Sequence, residues 1–152
     1  MNSFLLQGAL SFLATMGFGI LFNAPRRMLL YCGLAGMTGW LVYRLFNEML
    51  EDPVRSSFFG AFTVAVVANL FAKRFRMPMI IFSVAGIIPL VPGGTAYNAM
   101  RHVVENDYLA ALSYASVAFM VSGAIAMGLV FAEVMIQLIF RALHGGKQKS
   151  AT

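Results

Sequence analysis

Residues 89–100 read PLVPGGTAYNAM and interrupt an apolar run that would otherwise be long enough to cross a membrane. The run 77–100 contains no charged residue, and a helix needs about 20 residues to span the hydrocarbon core. Pro89 and Pro92 each remove a backbone hydrogen-bond donor and clash with the preceding helical turn. A straight helix cannot pass through them, so the sequence predicts that the helix ends near Val91.

The residues after the break are suited to the start of a second, more polar helix. Gly93 and Gly94 allow positive φ, and Thr95 can serve as the N-cap. Backbone that leaves the helical ladder at membrane depth persists only where protein buries it or where it lines a watery cavity. The N-terminus of a half-helix offers free N–H groups that can bind a carboxylate. We therefore expect the substrate-binding residues to be Pro92, Gly93, Gly94, Thr95, Tyr97, Asn98 and Arg101.

A purely structural role for the break is the alternative. The stretch then only connects the fourth span to a helix at the membrane interface, where Arg101 anchors at the headgroups. In either case we expect Gly93→Val and Gly94→Val to impair folding, because β-branched residues resist positive φ.

The composition of the chain is that of a polytopic membrane protein. Of 152 residues, 60% are hydrophobic and 11% are charged, and the mean hydropathy is +0.78. We predict an all-α fold with about five transmembrane helices in a single domain over residues 1–144, followed by a basic tail over residues 145–152, and we expect no soluble catalytic domain. The charge-free runs that supply the spans are 1–25, 28–43, 56–72, 77–100 and 108–132.

The charged loops alternate in sign along the chain. Two acidic loops, 47–53 and 105–107, separate three basic segments. Because basic loops remain on the cytoplasmic side, the sequence predicts an external N-terminus and a cytoplasmic C-terminus in a cell inner membrane. The dispersal of the net charge of +5 argues against nucleic acid as a partner. The basic segments are Arg26-Arg27, Lys73-Arg74-Arg76 and Arg141-Lys147-Lys149.

Small residues recur at helical spacing in the second and third spans. They allow helices to approach closely, so we interpret them as packing surfaces rather than substrate contacts. Gly17 and Gly19 in the first span are expected to act in the same way. The small residues are Gly33, Ala35, Gly36 and Gly39 in the second span and Ala61, Ala65, Ala68 and Ala72 in the third.

Several helix ends can be predicted from local residue types. Asp52-Pro53 is typical of an N-cap followed by proline in the first turn, and Asn106 or Asp107 can cap the last helix. The run 108–143 exceeds one span, so the last helix must tilt or project beyond the bilayer. Gly145-Gly146 is expected to end it.

No arrangement of side chains indicates catalysis, a cofactor or a metal ion. His102 and His144 lie in different topological positions, and Cys32 stands alone in an apolar run.

Glu133 is a separate case because it follows a long neutral run. Pairing with Gln137 and Arg141 at helical spacing, near the cytoplasmic end of the last helix, explains it structurally. On this interpretation no acid lies in the middle of a span, and the sequence predicts no proton-coupling pathway in this chain.

Three stretches resemble the threonine/serine exporter family in its short form: NAPRR at 23–27, the glycine-rich second span, and IIPLVPGGTAYNAM at 87–100. The resemblance covers essentially the whole chain, and PLVPGGTAYNAM is its most specific part. In that family a short subunit is similar to the C-terminal five-span half of the full-length exporter, and a separate larger subunit supplies the other half. Some short-subunit systems are linked to dicarboxylate export.

The resemblance implies half of an exporter for threonine and serine, or for C4-dicarboxylates such as succinate. The implied partners are a larger homologous subunit or a second copy of the chain, a small-molecule substrate and the lipid bilayer. A non-transporting scaffold or assembly subunit for a larger partner is the alternative, and a channel is a third. Thr95→Val and Asn98→Leu should insert normally yet export poorly, whereas Arg101→Gln should weaken dicarboxylate export most.

The predicted topology can be tested by cysteine labelling in a Cys32→Ala background. Glu51→Cys and Asn106→Cys should react from outside with a membrane-impermeant thiol reagent, because both replace residues of acidic loops. Arg74→Cys should react only after the membrane is opened. External labelling of Arg74→Cys would reverse the orientation.

Overall fold

The computed structural model describes residues 2–145, with side chains for residues 4–141, and the described chain is helical without strands. Four helices are long and apolar enough to cross a membrane, and a bent pair of shorter helices can form a fifth crossing. This confirms the predicted all-α, polytopic fold. The helices are α1 (Asn2–Leu21), α2 (Leu29–Leu50), α3 (Pro53–Phe75), α4 (Ile80–Ile87), α5 (Gly93–Val104) and α6 (Tyr108–Gly145).

Non-glycine residues in the left-handed region end four of these helices. Asn23, Glu51, Arg76 and Asn106 have φ between 51° and 61°, whereas no described glycine has positive φ. After three of these helices, the next N–H bonds back to a carbonyl five residues earlier, as in Ala24 N–H to Gly19 O at 2.9 Å. These hydrogen bonds are of the Schellman type and give partners to carbonyl groups at the helix ends that would otherwise lack them. They also allow short connections between neighbouring spans.

The predicted N-caps are present at α3 and α6. The Asp52 carboxylate accepts from the N–H groups of Val54 at 2.9 Å and Arg55 at 3.4 Å, and Pro53 follows in the first turn. Asp107 accepts from Ala110 N–H at 3.2 Å. Gly145 still belongs to α6, and the rest of the predicted basic tail lies outside the described residues.

The small residues of α2 and α3 form the centre of the bundle, as predicted. A Cβ at Gly36 would overlap the Thr15 side chain of α1, and a Cβ at Gly39 would overlap Val64 of α3. The four alanines predicted to form the packing surface of α3 are all buried. Gly17 is the exception, because nothing approaches its Cβ position within 4 Å. The expectation of close backbone approach was wrong there.

Contacts among three helices define a central level in the bundle. Gly39 and Gly86 both lie against Val64, which is the middle residue of α3. Gly39 also lies near the middle of α2. We call the plane through these three residues the central level, and the acidic and basic loops lie at opposite ends of the bundle from it.

The last helix begins beyond the start of α3 and then packs along it. A Cβ at Gly128 would lie 2.6 Å from the Phe58 carbonyl oxygen, and the Lys73 ammonium lies over the Phe140 ring. The two helices are therefore parallel, and the first third of α6 extends beyond the start of α3 to pack on α5. With 38 residues, α6 is about 57 Å long, compared with a hydrocarbon core of about 30 Å.

Substitution of Gly128 tests this packing directly. Gly128→Ala should destabilise the protein by about 1–3 kcal/mol, because the new methyl group meets backbone atoms of α3 that cannot move aside. Gly123→Ala on the same helix is the matched control, since nothing lies within 4 Å of its Cβ position. Thermal unfolding in detergent would measure both. Equal stability of the two variants would contradict the described contact between α3 and α6.

Candidate functional site

The break in the fourth span lies where the sequence predicts it. Helix α4 ends at Ile87, a turn of 3-10 helix covers Ile88–Leu90, and α5 begins at Gly93. The segments before and after the break are bent by 50°. Pro92, with φ −77° and ψ 52°, forms the centre of an inverse γ-turn in which Gly93 N–H donates to Val91 O at 2.8 Å.

The start of α5 differs from the prediction in two respects. Pro92 occupies the N-cap position, and the Thr95 hydroxyl donates to the Pro92 carbonyl at 2.8 Å instead of accepting from the helix. Gly93 and Gly94 have negative φ, so the expected positive φ was wrong. The γ-turn produces the change of direction that positive φ was expected to supply. Within the described chain, the N–H groups of Gly94 and Thr95 have no backbone acceptor.

A cavity of about 260 Å³ lies against this break. It is bounded by the second half of α2, the first turns of α3, the break itself and the first half of α6. It therefore lies between the central level and the acidic-loop end of the bundle. The lining residues are Trp40, Tyr43, Pro53, Ser57, Pro89, Leu90, Val91, Pro92, Thr95, Val117 and Val121.

The lining is apolar except for a few groups that can form hydrogen bonds. The Trp40 Nε1–H is buried and has no partner among the described residues. The Ser57 hydroxyl donates to Pro53 O at 2.6 Å, which leaves its oxygen free to accept. A buried donor without a partner costs free energy unless a ligand or water satisfies it. Trp40, whose side chain borders the cavity, therefore carries a buried donor with an unmet hydrogen-bonding requirement, which the sequence did not reveal.

The predicted site residues divide into two groups. Pro92 and Thr95 line the cavity, and Pro92 and Gly93 also border a second cavity of about 450 Å³ between α5 and α6. Gly94, in the first turn of α5, lines neither cavity, and the other three residues lie further along α5 outside both linings. Tyr97 is 68% exposed, Asn98 is half-buried, and Arg101 pairs with Glu105 at 2.8 Å.

Glu133 makes one of the two contacts that the sequence predicts for it. Gln137 Nε2 donates to it at 3.5 Å, as expected. However, Phe131, two residues earlier, packs against Phe58 and Phe62 in the first half of α3. Glu133 therefore lies beside the middle part of α3, because α6 is offset along that helix. Its position within a membrane span stays a prediction.

Apolar spans around one discontinuous helix, with a cavity at the discontinuity, form an arrangement that is common among membrane transporters. Residues 7–135 match the family model described as Threonine/Serine exporter, ThrE. Because this match covers most of the chain, the chain belongs to the threonine/serine exporter family, which consists of transporters and not enzymes.

Two relatives illustrate how far the similarity extends. A threonine/serine exporter of Corynebacterium glutamicum is 32% identical over 101 residues, which cover 66% of this chain and 20% of that protein. An uncharacterized protein of Haemophilus influenzae is 30% identical over 90 residues, 59% of this chain and 30% of that protein. The matched part thus makes up less than a third of either relative. No solved structure matches the chain.

Replacing Gly94 tests the backbone at the start of α5. Gly94→Ala should leave stability unchanged or raise it, because the residue has negative φ, its Cβ position is open, and alanine favours helix by up to about 1 kcal/mol over glycine. Gly39→Ala is the control, and it should destabilise the protein because its methyl group overlaps Val64. Thermal unfolding of both variants checks this, and a large loss at Gly94 would show that its backbone needs glycine.

Proposed function

We propose that this chain is one half of a membrane exporter for small carboxylate-bearing metabolites, with threonine and serine as the first candidates. The observation that carries the proposal is the cavity at the break, which Pro92 and Thr95 line together with apolar side chains. It lies next to the start of α5, where the N–H groups of Gly94 and Thr95 have no backbone acceptor within the described chain. We take transport as the class of function because the chain belongs to the exporter family.

The chemistry of the cavity suits a carboxylate. The N-terminus of α5 carries partial positive charge, and the N–H groups of Gly94 and Thr95 can donate to anionic oxygens. Val91, Val117 and Val121 give the cavity an apolar lining, and hydrogen bonds are stronger in such surroundings than in water. The volume of about 260 Å³ suits a metabolite of a few heavy atoms rather than a peptide.

The remaining predicted residues suit a site that is completed by a second half. Tyr97, Asn98 and Arg101 lie on α5 outside the first cavity, on a part of the chain that only α6 covers among the described helices. Substrate sites in transporters with two related halves commonly lie at the interface between them. A larger homologous subunit, or a second copy, would then place the substrate between its own residues and this face of α5.

The orientation and membrane follow from the charged loops. We place the acidic loops outside and the basic loops in the cytoplasm of a cell inner membrane, which puts the cavity on the external side of the central level. An exporter with this geometry releases substrate from the cavity towards the outside. Dicarboxylates such as succinate are the second substrate class, and a scaffold role without transport is the competing function.

Export through this cavity can be tested with reconstituted protein. Proteoliposomes containing the chain with its larger partner should transport labelled threonine or serine, and the chain alone should transport less. Trp40→Phe should reduce transport about tenfold, since loss of a donor to a charged group costs about 1.5–3 kcal/mol. Thr95→Val should also reduce transport, because it removes the hydroxyl that donates to the Pro92 carbonyl at the break. Thr63→Val is the matched control, because Thr63 also donates to a backbone carbonyl, at 2.9 Å, but lies outside the cavity.

The same preparation distinguishes the alternatives. If the assembly transports succinate instead of the amino acids, and Arg101→Gln weakens this transport, the result favours dicarboxylates as the substrate class. The reason is that a second carboxylate can replace Glu105 as the partner of the Arg101 guanidinium. Wild-type rates in both cavity variants would exclude the cavity as the substrate site. No transport of any of the three substrates would favour the scaffold role.

A further inference from the structure

We propose that the basic-loop end of the bundle binds one anionic phospholipid. Its phosphate lies against the guanidinium groups of Arg26, Arg27 and Arg76, which we call the arginine triplet, and one acyl chain lies in an apolar groove beside them. This binding does not depend on the proposed export function, and it concerns the opposite end of the bundle from the cavity at the break.

The two basic loops belong to different connections, yet one apolar cluster holds them together. Met28 directly follows Arg26-Arg27 in the connection after α1, and Met77 directly follows Arg76 in the connection after α3. Both methionines pack against the same buried cluster, which α2, α3 and α4 form together. Residues nearly 50 positions apart in the sequence are therefore neighbours at this end of the bundle.

Direct contacts between helices fix this arrangement. The Tyr31 ring at the start of α2 lies 4.3 Å from the Phe75 ring at the end of α3. The Cys32 thiol of α2 donates to the Ile81 carbonyl of α4 at 3.6 Å. The basic loops cannot separate without loss of these contacts, so the charges of the triplet are held near one another before any ligand binds.

The arginine triplet has no counter-charge within the described chain. None of the described ion pairs includes a member of the triplet. Five of the six acidic residues of the sequence belong to the two acidic loops at the opposite end, and the sixth, Glu133, accepts from Gln137 on α6. Like charges that are held at one end of a bundle repel one another, and a bound anion offsets this repulsion.

An apolar groove of about 230 Å³ lies beside the triplet, between the connection after α1 and the first turns of α4. Its lining includes the residues two positions before Arg26 and four positions after Arg76. Chain connectivity therefore keeps the Cα atoms of the triplet within about 15 Å of the lining. The groove follows α4 for about one turn, and its lining consists of the hydrocarbon side chains of Phe22, Ala24, Ile80, Ile81 and Val84.

An anionic phospholipid matches both parts of this surface. Guanidinium groups bind phosphate oxygens in a bidentate manner, and basic pockets between membrane helices suit anionic headgroups. A free phosphate would satisfy the triplet but leave the groove uncovered, with Phe22 and Ile80 exposed. An acidic peptide would bring further polar groups against a lining that has no hydrogen-bonding side chain. A phosphate joined to an acyl chain covers both the charged and the apolar part.

Thermal unfolding of the purified full chain in a neutral detergent tests this binding. Dioleoylphosphatidylglycerol should raise the midpoint more than dioleoylphosphatidylcholine, because the acyl chains are the same and only the first lipid has a net negative charge. The double variant Arg26→Gln, Arg27→Gln should need about twenty-fivefold more phosphatidylglycerol for the same rise, since each basic residue near an anionic headgroup contributes a factor of about five. Equal rises with the two lipids, or an unchanged requirement in the double variant, would overturn the proposal.

Two controls separate a defined lipid site from general charge effects. The double variant Arg44→Gln, Arg55→Gln loses the same charge at the acidic-loop end, where both arginines form ion pairs, and its response to phosphatidylglycerol should equal that of the wild type. An equal loss of response there would contradict a defined site. Soluble glycerol phosphate carries the anion without acyl chains and should raise the midpoint much less at the same concentration. An equal rise would assign the triplet to a free phosphate and overturn the lipid as its ligand.

Photo-crosslinking of the wild-type chain locates the acyl chain without relying on a variant that must fold. The probe is phosphatidylglycerol with a diazirine on one acyl chain, present as a minor component of phosphatidylcholine vesicles that contain the full chain. Mass spectrometry of the digested protein should find adducts within residues 22–24 and 80–84, and the corresponding phosphatidylcholine probe should label them less. Absence of these adducts, or equal labelling by the two probes, would contradict the proposed site.

Discussion

The loss of backbone hydrogen bonds at Pro89 and Pro92 is the constraint on which the site depends. Inside a membrane, such groups must find partners within the protein or face water. The carbonyls of Ala85 and Ile88 accept from the N–H groups of Ile88 and Val91 instead, and the γ-turn at Pro92 pairs Gly93 N–H with the Val91 carbonyl. Trp40 and Ser57 border the cavity beside this break. A single helical interruption thus creates both the bend and the polar groups of the candidate site.

Close packing at the central level holds this interruption in place. Gly39, Val64 and Gly86 bring α2, α3 and α4 together with almost no intervening side chain. Helix–helix association in membranes relies on such contacts, because lipid offers no hydrophobic driving force between spans. The rigid contact lies about two turns from the break, so α4 is fixed while α5 diverges from it. The packed contact of α4 and the break in the fourth span are therefore next to each other in the structure.

The sequence predicted the features that depend on local residue types. Proline positions placed the break, Asp52 placed a helix start, and the small residues marked the packing surfaces. The left-handed helix ends were missed because Glu51 and Arg76 are not typical there, although Asn23 and Asn106 are. The Thr95 cap failed because the hydroxyl donates to Pro92 instead of accepting from α5.

Features that depend on how separate helices meet could not be predicted in this way. The contribution of Trp40 requires α2 to lie beside the break, and the position of Glu133 beside α3 requires the offset between α3 and α6. Spacing along one helix contains neither relation. A long apolar helix has no local residue pattern that selects one register against its neighbour.

Substrate protection of the cavity tests the central claim most directly. In a Cys32→Ala background, cysteine would replace Ser57 in the cavity or Thr63 outside it, and the rate of alkylation by N-ethylmaleimide would be measured in the reconstituted assembly. If the cavity at the break binds the exported metabolite, threonine or serine will slow alkylation at position 57 and leave position 63 unchanged. Equal rates with and without substrate at both positions would contradict the account.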